Sequence, residues 1–222
     1  MYTLLSGLYK YLTEKDEYFV LILGLDNAGK TTFLESAKTR LTPNYKGANL
    51  SKITTTVGMN LGKIDVNGVR LNFWDLGGQE ELQSLWDKYY SGAINATVFR
   101  YSHNPINLES SYDLFTPECH AVIYVVDSGD RERVEESKAA FDKMIKNETI
   151  KGIPLLVAAN KQDLADCMGV REVKHLFENN VEGGCQQLIA TSLLYSNETN
   201  VSSKCMEKAI IMFMLISPGG RS

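Results

Sequence analysis

The chain has few of the residues that define specialised protein classes. Its 222 residues include four cysteines, five prolines, three histidines and two tryptophans. The cysteines are Cys119, Cys167, Cys185 and Cys205. They lack the paired spacing of a zinc site or a disulfide framework. This scarcity excludes a disulfide-rich secreted scaffold and fits a reducing compartment.

Long apolar runs and an excess of one charge are also missing. No apolar run reaches the roughly 18 residues of a membrane span, and the first residues lack the basic region and cleavage site of a secretory signal. The net charge of −4 excludes a strongly basic nucleic-acid surface. The rest is an ordinary globular composition, 44% apolar and 23% charged, with enough residues for one domain.

Four short apolar runs predict strands that are buried on both faces, as in a parallel sheet covered by helices. The runs are residues 19–23, 71–74, 121–126 and 154–159. Between them, residues 131–147 place apolar side chains at helical spacing, with Asp130 or Ser128 as the predicted N-cap. Residues 170–179 predict a shorter helix.

The dipeptide Asn67-Gly68 predicts a β-hairpin, because Asn-Gly is the strongest short-range hairpin signal. It separates residues 57–66 from residues 69–75. One antiparallel pair therefore joins an otherwise alternating β/α chain. This pattern predicts an α/β fold, with a mostly parallel sheet, one antiparallel edge strand and helices on both faces.

The strongest motif is GLDNAGKT, which fits the phosphate-binding pattern G-x-x-x-x-G-K-[ST] and lies between a predicted strand and a predicted helix. Backbone N–H groups of such a loop surround a phosphate, while Lys30 can contact the β- and γ-phosphates and Thr31 can ligate Mg²⁺. The predicted phosphate-binding residues are Gly24, Asp26, Asn27, Ala28, Gly29, Lys30, Thr31 and Thr32.

Two further segments can complete this site. Asp75-Leu76-Gly77-Gly78-Gln79 follows a predicted strand. Asp75 can hold Mg²⁺ through water, Gly78 can bring an N–H to the γ-phosphate, and Gln79 can orient an attacking water. We therefore predict that Gln79 and Lys30 are catalytic. Thr56, the nearest of three threonines to the next strand, is the predicted second hydroxyl ligand of Mg²⁺; the alternative is a polar, β-prone loop.

The segment Asn160-Lys161-Gln162-Asp163 predicts the base site. The Asp163 carboxylate can accept hydrogen bonds from N1 and N2 of guanine, a pair that adenine does not offer. Asn160 can tie the loop together, and the Lys161 stem can lie along the base. Ala190 is the predicted third contact, through a backbone N–H to guanine O6.

Together, the motifs GLDNAGKT, TTVGMN, WDLGGQ and NKQD resemble those of the Arf family of small GTPases. Asp26, where Ras-type loops have glycine, and Trp74 before Asp75 are typical of that family. The resemblance is closest to a branch that acts at the trans-Golgi, and it extends over residues 1–91 and 118–179. It implies the small-GTPase fold with a six-stranded sheet, GTP or GDP and Mg²⁺ as ligands, and hydrolysis of GTP.

In that family, GTP orders two switch loops, which correspond here to residues 50–57 and 77–90. The strand pair between them slides and ejects an N-terminal helix. The partners implied are an exchange factor, a GTPase-activating protein and effectors. The residues that match the effector surface are Met59, Trp74 and Tyr89. Core packing is the alternative for Trp74 and Tyr89. No arginine is an obvious internal finger, so we expect slow hydrolysis without an activating partner.

Residues 1–16 predict an amphipathic helix, which can pack on the domain or lie in a membrane interface. Tyr2 excludes N-myristoylation, which requires glycine at this position. In the resembling branch, an acetylated Met1 and Tyr2 contact a Golgi membrane receptor. We therefore expect a cytoplasmic monomer that associates reversibly with trans-Golgi membranes and binds no nucleic acid.

Residues 17–222 form the predicted GTPase domain, with two departures from the family. Residues 92–117 have no counterpart in relatives, and they are either a lineage-specific surface loop or a translated retained intron. Residues 193–222 replace the usual last helix with a polar stretch and a short apolar one. These departures motivate an alternative function, a nucleotide-binding or effector-binding module that does not cycle.

Overall fold

The structure, a computed structural model, describes residues 16–49, 52–66, 68–90, 119–178 and 186–190. The predicted N-terminal helix, the insertion at 92–117 and the altered segment at 193–222 lie outside these residues, except that Asp16 is the first residue of a strand. Among the described residues, no helix is both long enough and apolar enough to cross a bilayer.

The described chain alternates strands and helices in the order that the apolar runs predict. The elements are β1 (Asp16–Leu23), α1 (Lys30–Leu41), β2 (Met59–Val66), β3 (Val69–Leu76), α2 (Glu80–Gln83), α3 (Trp86–Tyr90), β4 (Ala121–Asp127), α4 (Val134–Ile145), β5 (Leu155–Asn160), α5 (Val170–Glu178) and β6 (Gln186–Ala190). The sheet order is β2-β3-β1-β4-β5-β6. Only the β2–β3 pair among these strands is antiparallel, which confirms the predicted mixed sheet.

The central strands are buried on both faces, because their alternate side chains enter two separate cores. In β1, Phe19 and Leu21 belong to one core and Val20 to the other. The first core also contains apolar residues of α4 and α5, and the second contains those of α1. Helices therefore cover both faces, and the parallel strands end at one edge, where the predicted motifs lie.

The predicted N-cap of α4 is wrong. The helix begins at Val134 and its N-cap is Arg133, which makes no side-chain capping bond. Asp130 instead accepts a hydrogen bond from the Arg133 backbone N–H at 3.1 Å. This hydrogen bond closes a turn that precedes the helix. The Asp130 side chain therefore lies three residues before the N-cap position, Arg133.

The hairpin is present as predicted, with Val66 paired to Val69 and Gly68 at a φ of +81°. Its first strand starts at Met59 rather than at residue 57. Gly62 faces α1 so closely that a Cβ added there would lie 2.8 Å from side-chain carbons of Leu34 and Lys38. The helix therefore crosses β2 where the strand has no side chain.

Candidate functional site

The predicted phosphate loop connects β1 to α1 and needs glycine at two positions. Gly24 has a φ of +136° and Gly29 a φ of +90°, in the region that side chains disfavour. A Cβ on Gly24 would collide with the Val125 carbonyl oxygen, and one on Gly29 with the Asn160 amide. Asn27 also adopts a positive φ, of +59°. The loop is therefore tightly curled and packs against Val125 of β4 and Asn160 of β5.

Lys30 is buried at the base of this loop, with 5% of its surface exposed. Its ammonium donates hydrogen bonds to the carbonyl oxygens of Gly24 at 3.0 Å and Leu25 at 2.6 Å. Burial lowers the pKa of Lys30 to about 8, although the negative charges of Asp75 and Asp26 oppose this shift. Since burial disfavours the charged form of Lys30, an anion bound beside its ammonium would stabilise that charge.

Three oxygen-bearing side chains predicted to hold Mg²⁺ come together beside Lys30. The Thr31 hydroxyl lies 2.6 Å from Asp75 Oδ2 and 2.7 Å from the Thr56 hydroxyl. Thr56 is half-buried, whereas Thr54 and Thr55 are exposed, which supports the choice among the three threonines. Thr32, the next residue of α1, is also half-buried.

Asp75 shows that these residues fit a cation. Its side chain is fully buried, and Oδ1 has no hydrogen-bond partner among the described residues. Burial raises the pKa of Asp75, while the Thr31 hydrogen bond and the Lys30 charge lower it. A buried carboxylate oxygen without a donor is suited to a hard cation or its bound water. The described residues contain no cluster of three His, Cys, Asp or Glu that offers another metal site.

Gly78 brings the second predicted switch onto the phosphate loop. A Cβ on Gly78 would collide with the backbone of Gly24, Leu25 and Asp26. The segment is held by two side chains, because Gln83 donates to the Gly78 carbonyl at 3.1 Å and the Trp86 indole donates to the Gly77 carbonyl at 3.1 Å. Gln79 follows directly and is half-buried at the start of α2.

The predicted base loop is joined to the phosphate loop by Asn160. This residue ends β5 and is 3% exposed, and its amide donates to the Ala28 carbonyl at 2.8 Å. The backbone carbonyl of Asn160 accepts a hydrogen bond from the Ser128 backbone N–H at 3.0 Å. Asn160 therefore connects three neighbouring loops at the carboxyl edge of the sheet.

The base loop is supported by Asp127, the last residue of β4, and by Ser128 after it, and the sequence analysis missed both. The Lys161 ammonium pairs with Asp127 at 2.6 Å, and Gln162 donates to the Ser128 hydroxyl at 2.7 Å. Lys161 has a φ of +61°, and Asp163 lies at the exposed rim. Their position directly after the predicted strand 121–126 is the sequence feature that could have identified Asp127 and Ser128.

Ala190 is the last residue of β6 and pairs with Ala159 of β5. This register puts its backbone at the same edge as Asn160. The residues that follow Ala190 lie outside the described residues, and the contact with guanine O6 stays a prediction.

The three residues matched to an effector surface lie close together, but their side chains are exposed to different extents. Trp74 is 6% exposed and contacts Tyr89 edge-on, with ring centroids 6.2 Å apart. Met59 and Tyr89 are half-buried against the same core. Trp74 therefore contributes mainly to core packing rather than to an exposed effector surface. The most exposed large apolar side chain in this region is Val57, at 82%.

An ion pair that no sequence motif predicts connects the phosphate loop to the start of α4. Arg133 Nη2 lies 2.6 Å from Asp26 Oδ1. Hydrogen bonds to Glu136 and Asp26 raise the pKa of Arg133. The two partners are 107 positions apart in the chain, and an arginine at a helix start is usually a solvated charge.

Known proteins match most of this chain. The family model described as the ADP-ribosylation factor family matches residues 4–101 and 106–208. The break between the two ranges lies inside the segment 92–117, and the second range extends into the segment 193–222.

Curated relatives are similar over most of their length. ADP-ribosylation factor-related protein 1 of Bos taurus is 58% identical over 81% of this chain and 76% of its own. The Homo sapiens protein of that name is 56% identical over the same shares. ADP-ribosylation factor-like protein 3 of Saccharomyces cerevisiae is 40% identical over 82% of this chain and 78% of its own.

A solved structure has the same fold. The small GTPase Arl6 of Trypanosoma brucei, bound to the nucleotide analogue GppNp, aligns with a TM-score of 0.63 over 91% of this chain and 98% of its own. Its sequence is 22% identical, so the likeness concerns the fold alone.

Proposed function

Since the chain belongs to the ADP-ribosylation factor family of small GTPases, which bind and hydrolyse GTP, we propose that it is a GTP-operated switch that recruits effectors to trans-Golgi membranes. The observation that carries the proposal is the convergence of Lys30, Thr31, Thr56 and Asp75 at one edge of the sheet. An ordinary turn has no reason to bury a lysine beside an undersatisfied carboxylate.

The binding roles follow from these contacts. Loop N–H groups and Lys30 bind the phosphates, and Thr31, Thr56 and Asp75 would hold Mg²⁺, directly or through water. Bound Mg²⁺ supplies positive charge that offsets the charge of the β- and γ-phosphates. Asp163 selects guanine, with Asn160 and Lys161 holding its loop in place.

Hydrolysis needs a water aligned with the γ-phosphate and a charge to stabilise the transition state. Gln79 follows the tightly packed Gly78 and can orient that water. Arg133 is the arginine that the structure places against the phosphate loop, and its guanidinium is engaged by Asp26 and Glu136. We therefore expect slow hydrolysis alone, with an arginine from an activating protein raising the rate by about 10³–10⁵-fold.

The switch itself is supported by a contact between its two moving parts. The Gly77 backbone N–H donates to the Gly58 carbonyl at 2.8 Å, so a change at the γ-phosphate that moves one segment also moves the other. Val57 and Leu61 expose apolar surface beside this contact, at 82% and 40%. Such a surface suits an effector that reads the state of both segments.

The membrane role is tested at the N-terminus. Tyr2→Asp places a charge on the apolar stripe of the predicted helix, which opposes contact with a membrane or a receptor. We expect this variant to bind nucleotide normally and to be cytosolic by microscopy. Wild-type Golgi staining of the variant would contradict the membrane part of the proposal alone.

The switch role is tested by the nucleotide that the purified full chain carries. Heat release followed by chromatography should give about one GDP or GTP per chain, because a hydrogen bond of the protein itself joins the base loop to the phosphate loop. An empty or adenine-bearing protein would support the alternative, a module with this fold that does not cycle.

A further inference from the structure

The ion pair between Asp26 and Arg133 lies at the phosphate loop but belongs to no predicted motif contact. Both side chains are about one-third exposed, at 33% and 35%. The guanidinium also binds Glu136, with Nε 2.9 Å from Oε2, so its direction is fixed from within its own helix. The hydrogen bond to Glu136 therefore restricts the side-chain conformations that Arg133 can adopt beside Asp26.

Asp26 places a negative charge inside a loop that binds negative phosphates. Its backbone nitrogen lies at the point where Gly78 packs on the loop. Its charge also reaches Lys30: burial is the main cause of the low pKa of Lys30, Asp75 and Asp26 act against it, and Arg133 adds to it. Both members of the pair are thus within electrostatic range of the ammonium that contacts the β- and γ-phosphates.

We propose that Arg133 is a positioning residue that holds and neutralises Asp26, and thereby sets the preference of the site for GTP over GDP. GTP carries about one more negative charge than GDP, so an uncompensated carboxylate in the loop opposes GTP more strongly. The proposal rests on the guanine-nucleotide binding stated above and adds a residue whose effect depends on phosphate number.

A purely structural role for Arg133 predicts something different. If the pair only fastens α4 to the phosphate loop, its loss weakens the binding of both nucleotides by the same factor. Removing the Asp26 charge as well would then restore nothing. The ratio of the two affinities separates the electrostatic role from the structural one.

The experiment is equilibrium binding of fluorescent GDP and of a non-hydrolysable GTP analogue to the full chain. The variants are Arg133→Gln, Asp26→Asn and the double variant. Arg131→Gln is the matched control, because this neighbouring arginine is 53% exposed and pairs with Glu172 instead. Melting temperatures of the GDP-bound proteins show whether each variant is folded.

We expect Arg133→Gln to weaken the GTP analogue about tenfold and GDP about threefold. Asp26→Asn alone should shift the preference about threefold toward the triphosphate, because Arg133 then lacks a competing anion. The double variant should return the affinity ratio to within about twofold of wild type, and Arg131→Gln should not change it.

Equal losses for both nucleotides in Arg133→Gln, or an unchanged ratio in Asp26→Asn, would overturn the proposal. The second of these variants keeps the start of α4 intact, so it decides the question if Arg133→Gln does not fold. A wild-type chain that binds neither nucleotide would overturn the proposed function, and this inference with it.

Discussion

The base side and the switch side of the site differ in how far the protein completes its own contacts. On the base side, Asn160, Lys161 and Gln162 are each paired with a residue of another loop at 2.6–2.8 Å. On the switch side, Asp75 Oδ1 has no partner among the described residues, and Val57 is 82% exposed. The polar side chains named on the base side all have protein partners, whereas the switch side leaves one buried carboxylate oxygen for which we propose a bound cation.

This difference separates recognition from response. A loop whose polar groups are satisfied keeps its geometry whether or not a ligand is present. A ligand that supplies the missing contact of such a segment stabilises the arrangement in which the contact is made, so we expect the switch side to respond to the ligand. Variants on the base side should therefore lower nucleotide affinity and stability, whereas variants on the switch side should lower hydrolysis or Mg²⁺-dependent binding with little change in stability.

The largest expected effect is on the switch side and leaves binding intact. Gln79→Leu removes the group that orients water, and we expect GTP hydrolysis to fall about 100-fold or more in the presence of an activating protein. Single-turnover hydrolysis measures the rate, and GTP affinity should stay within about twofold of wild type. A comparable loss of affinity would show that Gln79 shapes the binding site and would weaken the contrast.

The base side should lose binding and stability together. Asn160→Ala leaves the Ala28 carbonyl without its buried donor, at a cost of about 2 kcal/mol in the free energy of unfolding. Because the same bond joins the base and phosphate loops, affinity for GDP should fall by about 30-fold. Denaturant unfolding and fluorescent GDP titration measure both. A loss of affinity at unchanged stability would mean that the base side is not preformed.

Thr56 provides the matching test on the switch side. Thr56→Val removes one hydroxyl beside Thr31 and Asp75, and we expect Mg²⁺-dependent binding of a GTP analogue to weaken about fivefold with little change in stability. Thr55→Val is the control, because Thr55 is exposed and adjacent. Equal effects of the two variants, or an effect that persists without Mg²⁺, would contradict the assigned role.

The smallest expected effect concerns the segment that leads into the first switch. The hydroxyl of Tyr45 donates to buried Glu35 at 2.8 Å, and Tyr45→Phe should lower the free energy of unfolding by about 1 kcal/mol. Burial raises the pKa of Glu35, but hydrogen bonds from Lys38 and Tyr45 outweigh it and leave that pKa below its usual value.

The pH dependence of this variant has a definite sign. A lowered pKa means that the stability from Glu35 is present above the unfolded-state pKa of about 4.3 and is lost as the pH falls through the folded-state pKa. The difference between Tyr45→Phe and wild type should therefore narrow below about pH 4. Chemical unfolding at several pH values measures it, and a constant difference would exclude the Glu35 hydrogen bond as its cause.

Sequence reasoning predicted the parts of this molecule that depend on local pattern. Continuous apolar runs identified the buried strands, and Asn67-Gly68 identified the hairpin. The motifs predicted to bind phosphate and base follow β1 and β5, and their binding roles stay predictions. Each of these signals comes from neighbouring residues, whose chemistry limits the backbone directly.

The missed features all join residues that are far apart in the chain. Arg133 and Asp26 are separated by 107 positions, and Lys161 and Asp127 by 34. A charged residue in one sequence carries no sign of its distant partner, so such pairs appear only once the strands have been brought together. The prediction of the α4 N-cap was wrong for a different reason, because the Asp130 side chain accepts a hydrogen bond within the turn that precedes the helix.

Gly62 limits how the hairpin can move. Because side chains of a strand alternate between faces, a shift of the β2–β3 hairpin against β1 by two residues would keep its apolar face inward, whereas a shift by one would not. A shift of two brings Asn60 or Ile64 to the place under α1 where Leu34 and Lys38 leave no room for a bulky side chain. Such a shift therefore requires α1, or the side chains of Leu34 and Lys38, to move as well, and a bulkier residue at position 62 would press α1 away from β2 even in the register of this structure.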